Sequence, residues 1–151
     1  MGQNQNQALV RRFFDEMCNQ RKLSIAEELF SPDHKYHDPQ APTGTGPEGV
    51  KRVISTYQNA IPDAHWEVVE TIVADNVIVT RWKGSGTQEK ELNGIPATGK
   101  YVEVDGTWIH RINNNKIVES WNAWDTLGML QQLGVVPAMG QAVESSIAGK
   151  N

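Results

Sequence analysis

The sequence has 151 residues, of which 21% are charged, and its formal net charge at pH 7 is −4. A chain of this length can bury the core of one domain, and its single cysteine, Cys18, excludes an internal disulfide framework. Because the charge is negative and no basic block occurs, nucleic acid is not an expected partner. The sequence also lacks an apolar run of membrane-spanning length and a signal-peptide pattern, so we expect no membrane contact and a cytoplasmic location.

Two helices are predicted at the start of the chain. Apolar residues recur at helical spacing over residues 9–18 and form one broad stripe. Ser24 and Glu27 then have the spacing of a capping box, which predicts the start of a short second helix. That helix is expected to carry Phe30 and to end at Pro32.

A turn-rich segment separates these helices from a third. Residues 33–47 contain several prolines and glycines, and only residues 35–37 are expected to form a brief strand. Pro47 suits the first position of a helix, and the apolar face that follows includes Tyr57. Pro62 ends this third helix.

The second half of the chain has the period of strands. Alternation predicts four of them, over residues 66–73, 77–87, 101–112 and 117–125, with a polar excursion over 88–100. Helices followed by antiparallel strands predict a single α+β domain over residues 1–137. The small and polar residues 138–151 are expected to form a loosely ordered tail.

Asp125 stands where the last strand passes into a helical run. Alternation places it on one face with Ile117 and Trp121, so its carboxylate would lie beside apolar surface. Such surroundings raise the pKa of a carboxyl group, which suits an acid/base catalyst near neutral pH. The alternative is a helix N-cap, in which the carboxylate accepts hydrogen bonds from free backbone amides.

The pairing of the last two strands predicts a pocket lined by aromatic residues. A four-residue turn over 113–116 places Ile112 opposite Ile117, and then sets further pairs on the same face: His110 with Glu119, Trp108 with Trp121, and Val104 with Asp125. Two adjacent tryptophans near an ionisable pair are typical of a ligand pocket. His110 and Asp125 would be about 20 Å apart along the strand, unless a bulge near Gly106 brings them together.

The other histidines carry less weight. His34, His37 and Asp38 are ligand types for a metal, but residues 34 and 37 of an extended segment point to opposite faces, so no metal site is expected. His110 could equally be a core histidine whose hydrogen bond is satisfied by Glu119.

Four segments resemble the SnoaL-like polyketide cyclases, also called ester cyclases. They are DPQAPTGTGPEGV (38–50), IPDAHWEV (61–68), NGIPATGKYVEVDG (93–106) and KIVESWNAWDTLGMLQQLG (116–134). The resemblance implies a cone-shaped α+β barrel of the nuclear-transport-factor type, with three helices packed on a curved antiparallel sheet. It also implies an intramolecular aldol ring closure of an aromatic polyketide ester, without cofactor or metal, in which Asp125 is the acid/base residue.

The resemblance extends to further site residues. His110 matches a family histidine that would hydrogen-bond the enolate, and His37 matches the histidine of a His-Asp-Pro-like motif. The side chains expected to contact a hydrophobic or aromatic small molecule are His37, Trp66, Trp108, Trp121, Phe14 and Tyr57. Family members commonly self-associate, so a homo-oligomer is expected through the outer sheet face, with Val118 and Trp124 at the contact.

Two other functions fit the same pocket. One is isomerisation or hydration of a small ketone or epoxide, because fold does not fix the reaction. The other is non-catalytic binding of a hydrophobic small molecule, with Asp125 acting only as a helix cap.

Overall fold

The computed structural model describes residues 2–40, 44–138 and 140. Its helical segments are α1 (Gly2–Arg12), a π-helical continuation (Phe13–Asn19), a 3₁₀ turn (Leu23–Ile25), α2 (Ala26–Leu29), α3 (Pro47–Ala60) and α4 (Thr126–Gln132). Its strands are β1 (Phe30–His37), β2 (Gly44–Thr45), β3 (His65–Ala74), β4 (Val77–Thr87), β5 (Tyr101–Asn113) and β6 (Lys116–Trp124). Apart from positions 138 and 140, the tail predicted over 138–151 lies outside the described residues.

The six strands form one curved, open sheet in the order β2-β1-β6-β5-β4-β3. All neighbouring pairs are antiparallel except β1 and β6, which run parallel. Together with the helices, this sheet confirms the predicted α+β class. None of the helices in the described part of the chain has the length and hydropathy needed to cross a bilayer.

The predicted apolar stripe of the first helix forms the centre of the core. Phe13, Phe14 and Met17 are fully buried, and they share one cluster with Val50 of α3 and Ile78 of β4. The helices therefore cover the same sheet face that carries the inward residues of β4 and β5.

The segment after the first helix differs from its prediction. Ser24 lies inside the 3₁₀ turn and α2 has no side-chain cap, so the expected capping box is absent. Phe30 begins strand β1 instead of continuing the helix, and β1 is much longer than the predicted residues 35–37. The register of β1 against β6 shifts between Phe30 and Lys35, which lets the strand accommodate Pro32 without a ladder amide.

The turn between β5 and β6 fits its prediction, but the pairing beyond it does not. Asn114 and Asn115 both have positive φ, the conformation of a tight two-residue hairpin turn, and Ile112 pairs with Ile117 as expected. A bulge then leaves Val118 without a partner, so that Arg111 is opposite Glu119.

This bulge reverses the predicted faces of β6. Trp108 is opposite Asn122, and Trp121 is opposite Ile109. The expected pairs of Trp108 with Trp121, His110 with Glu119 and Val104 with Asp125 are therefore wrong, because one extra residue exchanges the two faces of a strand.

Candidate active site

A largely apolar pocket lies between α3 and the inner face of the sheet. It encloses about 560 Å³ of space, including its open mouth. Its aromatic lining consists of Tyr57, Trp66, Trp82, Trp108 and Trp124, and its further polar lining residues are His65, Ser85 and Asn122. A flat hydrophobic ligand matches such walls, because indole rings offer large faces for stacking.

Two glycines allow Trp82 to lie flat against the sheet. Gly106 is opposite Trp82 in the β4–β5 pair, and a Cβ atom there would lie 2.3 Å from Cζ2 of the indole. A Cβ on Gly84 would lie 2.9 Å from Cζ3 of the same ring. The pocket wall is thus shaped by two positions at which only glycine leaves room for the indole.

Tyr57 is a lining residue of the pocket that carries a hydroxyl group. Its ring meets Trp124 edge-on, with centroids 5.3 Å apart. Burial raises the pKa of the Tyr57 hydroxyl to about 12, the charge of Asp38 contributes to this rise, and a hydrogen bond with Asn93 opposes it. The phenol therefore keeps its proton near neutral pH and can donate a hydrogen bond to a ligand oxygen.

A carboxylate lies behind the pocket wall. Asp38 is 6% exposed and is the only buried carboxylate among the described residues. The Tyr36 hydroxyl donates to Asp38 Oδ2, and the Asn122 amide nitrogen lies 3.4 Å from both groups. Burial and the bond to Asp38 raise the pKa of the Tyr36 hydroxyl, so that it remains a donor.

Asp125 lies at the N-terminus of α4. It is exposed, and its Oδ1 accepts a hydrogen bond of 2.9 Å from the Gly128 amide. This is the capping geometry of the alternative interpretation. Asp125 is not among the residues that line the pocket, so its acid/base role stays a prediction.

His110 is packed behind the pocket rather than in it. Its ring stacks on Trp108 with centroids 5.1 Å apart, and neither of its nitrogens has a hydrogen-bond partner among the described residues. Burial lowers its pKa to about 3, with a further contribution from His34. Burial likewise lowers the pKa of His34 to about 4, and His34 Nε2 lies 2.8 Å from Ser120 Oγ. Both rings are therefore neutral near pH 7.

His37 and Trp121 lie on the outer face of the sheet. Their rings are stacked with centroids 5.2 Å apart, and His37 Nε2 is 2.8 Å from Glu119 Oε2. The Arg111 guanidinium lies 5.9 Å from the Trp121 ring. Glu119 thus pairs with His37 and not with His110, and the β6 bulge explains why Trp121 is outside the pocket.

Comparison with known proteins identifies the family. The model of the SnoaL-like polyketide cyclases matches residues 8–133, which is most of the sequence. The chain belongs to the SnoaL-like polyketide cyclase family. The comparison with curated proteins found no match.

Solved structures of SnoaL-like proteins and similar folds resemble this one over most of their length. A candidate SnoaL-like polyketide cyclase from Jannaschia sp. CCS1 is 19% identical, over 89% of this chain and 95% of that one, with a TM-score of 0.81. IdmH from Streptomyces antibioticus, a candidate polyketide cyclase, is 29% identical over 86% of this chain and 99% of its own, with a TM-score of 0.74. AclR from Streptomyces galilaeus, a candidate hydroxylase, is 21% identical over 89% of this chain and 99% of its own, with a TM-score of 0.79. These likenesses confirm the nuclear-transport-factor type of fold.

In this SnoaL-like protein the pocket brings together only part of the predicted set. Tyr57, Trp66 and Trp108 line it as expected. Phe14 belongs to the core and to a separate cleft beside Thr80. The residues that are outside the pocket are His37, Trp121, His110 and Asp125.

Among the aromatic and polar residues that line the pocket, sequence reasoning missed Trp82, Trp124, His65, Ser85 and Asn122. Trp124 was expected on the outer face as part of an oligomer contact, and its place in the pocket corrects that expectation. Self-association itself stays a prediction. The glycines at 84 and 106 were the available indication of Trp82, because glycines inside strands mark the close approach of another group.

Proposed function

We propose that this SnoaL-like protein is a cyclase that closes a ring in a flat aromatic polyketide ester without a cofactor. The observation that carries the proposal is the largely apolar pocket walled by four tryptophans, with few polar groups. Such a pocket fits a planar polycyclic ligand, and the family of the chain is that of polyketide cyclases.

The proposed reaction is an intramolecular aldol addition. A base removes a proton from the carbon beside a carbonyl, which leaves an enolate. The enolate carbon forms a bond to a second carbonyl carbon of the same molecule, and the oxygen of that carbonyl takes up a proton. Substrate and product therefore have the same atoms and the same mass.

The residues of the pocket supply binding and charge stabilisation. Trp66, Trp82 and Trp108 would hold the ring plane and exclude water. The protonated Tyr57 hydroxyl would donate to the oxygen on which charge develops. The family resemblance gives the proton transfers to Asp125, whose carboxylate would have to leave the Gly128 amide to reach a ligand.

The test is incubation of the protein with a methyl ester of the anthraquinone type that carries an unclosed ketone side chain. We expect a product of unchanged mass with a new retention time and absorption spectrum. Asp125→Asn should bind the ester and lose most turnover, because asparagine can cap a helix but cannot act as a base. Full turnover by this variant would remove Asp125 from the mechanism.

One observation favours a second function, the binding of a hydrophobic molecule without turnover. Among the described residues that line the pocket there is no carboxylate, so no carboxylate base faces the ligand directly. In the same incubation, a bound ester recovered unchanged would support this binding function over catalysis.

A further inference from the structure

Asn122 is the inward polar residue of β6. It pairs with Trp108 across the strands, lines the same pocket and is 6% exposed. Most of its neighbours in the pocket are aromatic or aliphatic. A primary amide in such surroundings carries one acceptor and two donors that all need partners.

The orientation of this amide is fixed by Asp38. The Asp38 carboxylate accepts two hydrogen bonds. The Tyr36 hydroxyl donates to Oδ2, and the backbone N–H of Gln40 donates to Oδ1 over 2.8 Å. The Asn122 nitrogen, 3.4 Å from Asp38 Oδ2 and from the Tyr36 oxygen, therefore faces this pair, because an amide oxygen there would meet a carboxylate oxygen.

The amide oxygen of Asn122 is left without a partner. Asn122 Oδ1 is buried and receives no hydrogen bond from the described residues. The two contacts of the amide nitrogen are 3.4 Å long, so Asp38 and Tyr36 determine which end of the amide faces them and leave the oxygen end for another partner.

We propose that Asn122 Oδ1 accepts a hydrogen bond from a hydroxyl group of the ligand, so that the pocket selects hydroxylated planar aromatics. This inference rests on the proposed function, since it names the substrate class of the same pocket. Asp38 and Tyr36 act through Asn122 as positioning residues. A ligand that lacks the hydroxyl leaves a buried acceptor unpaired, which is how a polar site rejects an analogue.

A second orphaned group belongs to another lining residue and agrees with this chemistry. Nε1 of Trp82 is a donor only and has no partner among the described residues. Phenolic rings that also carry carbonyl groups offer both a donor for Asn122 and an acceptor for Trp82.

The test compares 2-naphthol with 2-methoxynaphthalene, in which a methyl group replaces the hydroxyl hydrogen, by calorimetric titration of the full-length protein. We expect wild type to bind 2-naphthol about tenfold more tightly. Asn122→Leu should bind the two ligands with about equal affinity, and it should bind 2-methoxynaphthalene as tightly as wild type does. Asn59→Ala, which removes an exposed amide of α3 outside the pocket lining, should leave the preference unchanged.

Asp38→Asn provides a second variant in case Asn122→Leu does not fold. It removes the carboxylate that orients the amide, so the preference should also fall with little change in the affinity for 2-methoxynaphthalene. Equal affinity of wild type for the two ligands, or a preference that both variants retain, would overturn the inference and leave the pocket assignment in place. Failure of wild type to bind either ligand would overturn the pocket assignment and the inference together.

Discussion

Asp125 illustrates how one residue can satisfy two interpretations of a sequence. Its position between a strand and a helix suits both a proton-transfer group and a cap, and the structure contains the cap. This cap requires a glycine at position 128, because a Cβ atom there would lie 2.1 Å from Asp125 Oδ2. The glycine therefore makes room for the carboxylate at the start of α4.

A double-mutant cycle on these two residues should show a change of sign. Gly128→Ala alone is expected to destabilise the protein by about 1 kcal/mol, because the new methyl group displaces the capping carboxylate. In the Asp125→Ala background the same substitution should stabilise by about 0.5–1 kcal/mol, since alanine is the better helix former. Urea unfolding of the four proteins measures both effects.

Asp125→Asn is the matched control for this cycle. Asparagine is an equally good cap, so the free energy of unfolding of this variant should stay within a few tenths of a kcal/mol of the wild-type value. An equal effect of Gly128→Ala in both backgrounds would mean that the cap does not explain the glycine.

The β6 strand shows what the sequence could and could not predict. The asparagine turn and the pairing of Ile112 with Ile117 followed from local patterns, because turn residues and alternation act over a few positions. The bulge at Val118 did not follow, since β6 carries a tryptophan on each face and either register buries one. A single unpaired residue thus decided that Trp124 and Asn122, and not Trp121, line the pocket.

The predicted length of strand β1 is too short for a related reason. Its partner β6 lies more than 80 positions away in sequence, as in the pair of Tyr36 with Ser120. Local sequence around Pro32, in contrast, predicts the end of a helix and not the inside of a strand. The fold class followed from the order of helices and strands, whereas the site depended on these long-range pairings. Asp38 likewise reads as a turn residue in sequence and is buried by contacts with β6.

The glycine positions of β4 and β5 carry a prediction about the pocket wall. Gly106→Ala would place a methyl group 2.3 Å from the Trp82 indole and 2.7 Å from Trp124 Cβ, so the indole must move. We expect a loss of stability of about 1–3 kcal/mol from overpacking and a loss of ligand affinity. Urea unfolding and titration with 2-naphthol measure the two effects.

Gly49→Ala is the control for Gly106→Ala, because its methyl group would meet nothing closer than 3.7 Å. This α3 variant should keep its affinity and lose no stability, with a gain of up to about 1 kcal/mol because alanine is the better helix former. Trp82→Phe in the Gly106→Ala background should restore part of the lost stability by shortening the ring. A Gly106→Ala protein with unchanged stability and affinity would show that the indole does not depend on the glycine.

On the scale of the whole molecule, two neutral histidines are buried where the sheet meets its helical cover. His34 contacts Phe30 of its own strand β1, with ring centroids 4.7 Å apart. His110 of β5 contacts Phe13 of the helical segment, with ring centroids 5.2 Å apart. Burial keeps the pKa values of His34 and His110 at about 4 and about 3 in the folded protein. An unfolded chain would titrate both rings near pH 6.5.

The protein should therefore lose stability in mild acid. Between pH 6.5 and pH 4 the unfolded chain binds up to two protons more than the native protein, so the free energy of unfolding falls as the pH falls. The slope approaches about 1.4 kcal/mol per pH unit for each histidine only below about pH 6.5, so the fall between pH 7 and pH 5 is about 3–4 kcal/mol for the two together. Urea unfolding at a series of pH values measures this slope.

Substitution of the two histidines separates this effect from other titrations. The double variant of His34→Gln and His110→Phe should lose most of this slope over pH 5–7, because neither new side chain takes up a proton. His65→Gln, which alters an exposed histidine, should retain the wild-type slope. If the double variant kept the wild-type slope, the acid sensitivity would have to come from groups outside this buried pair.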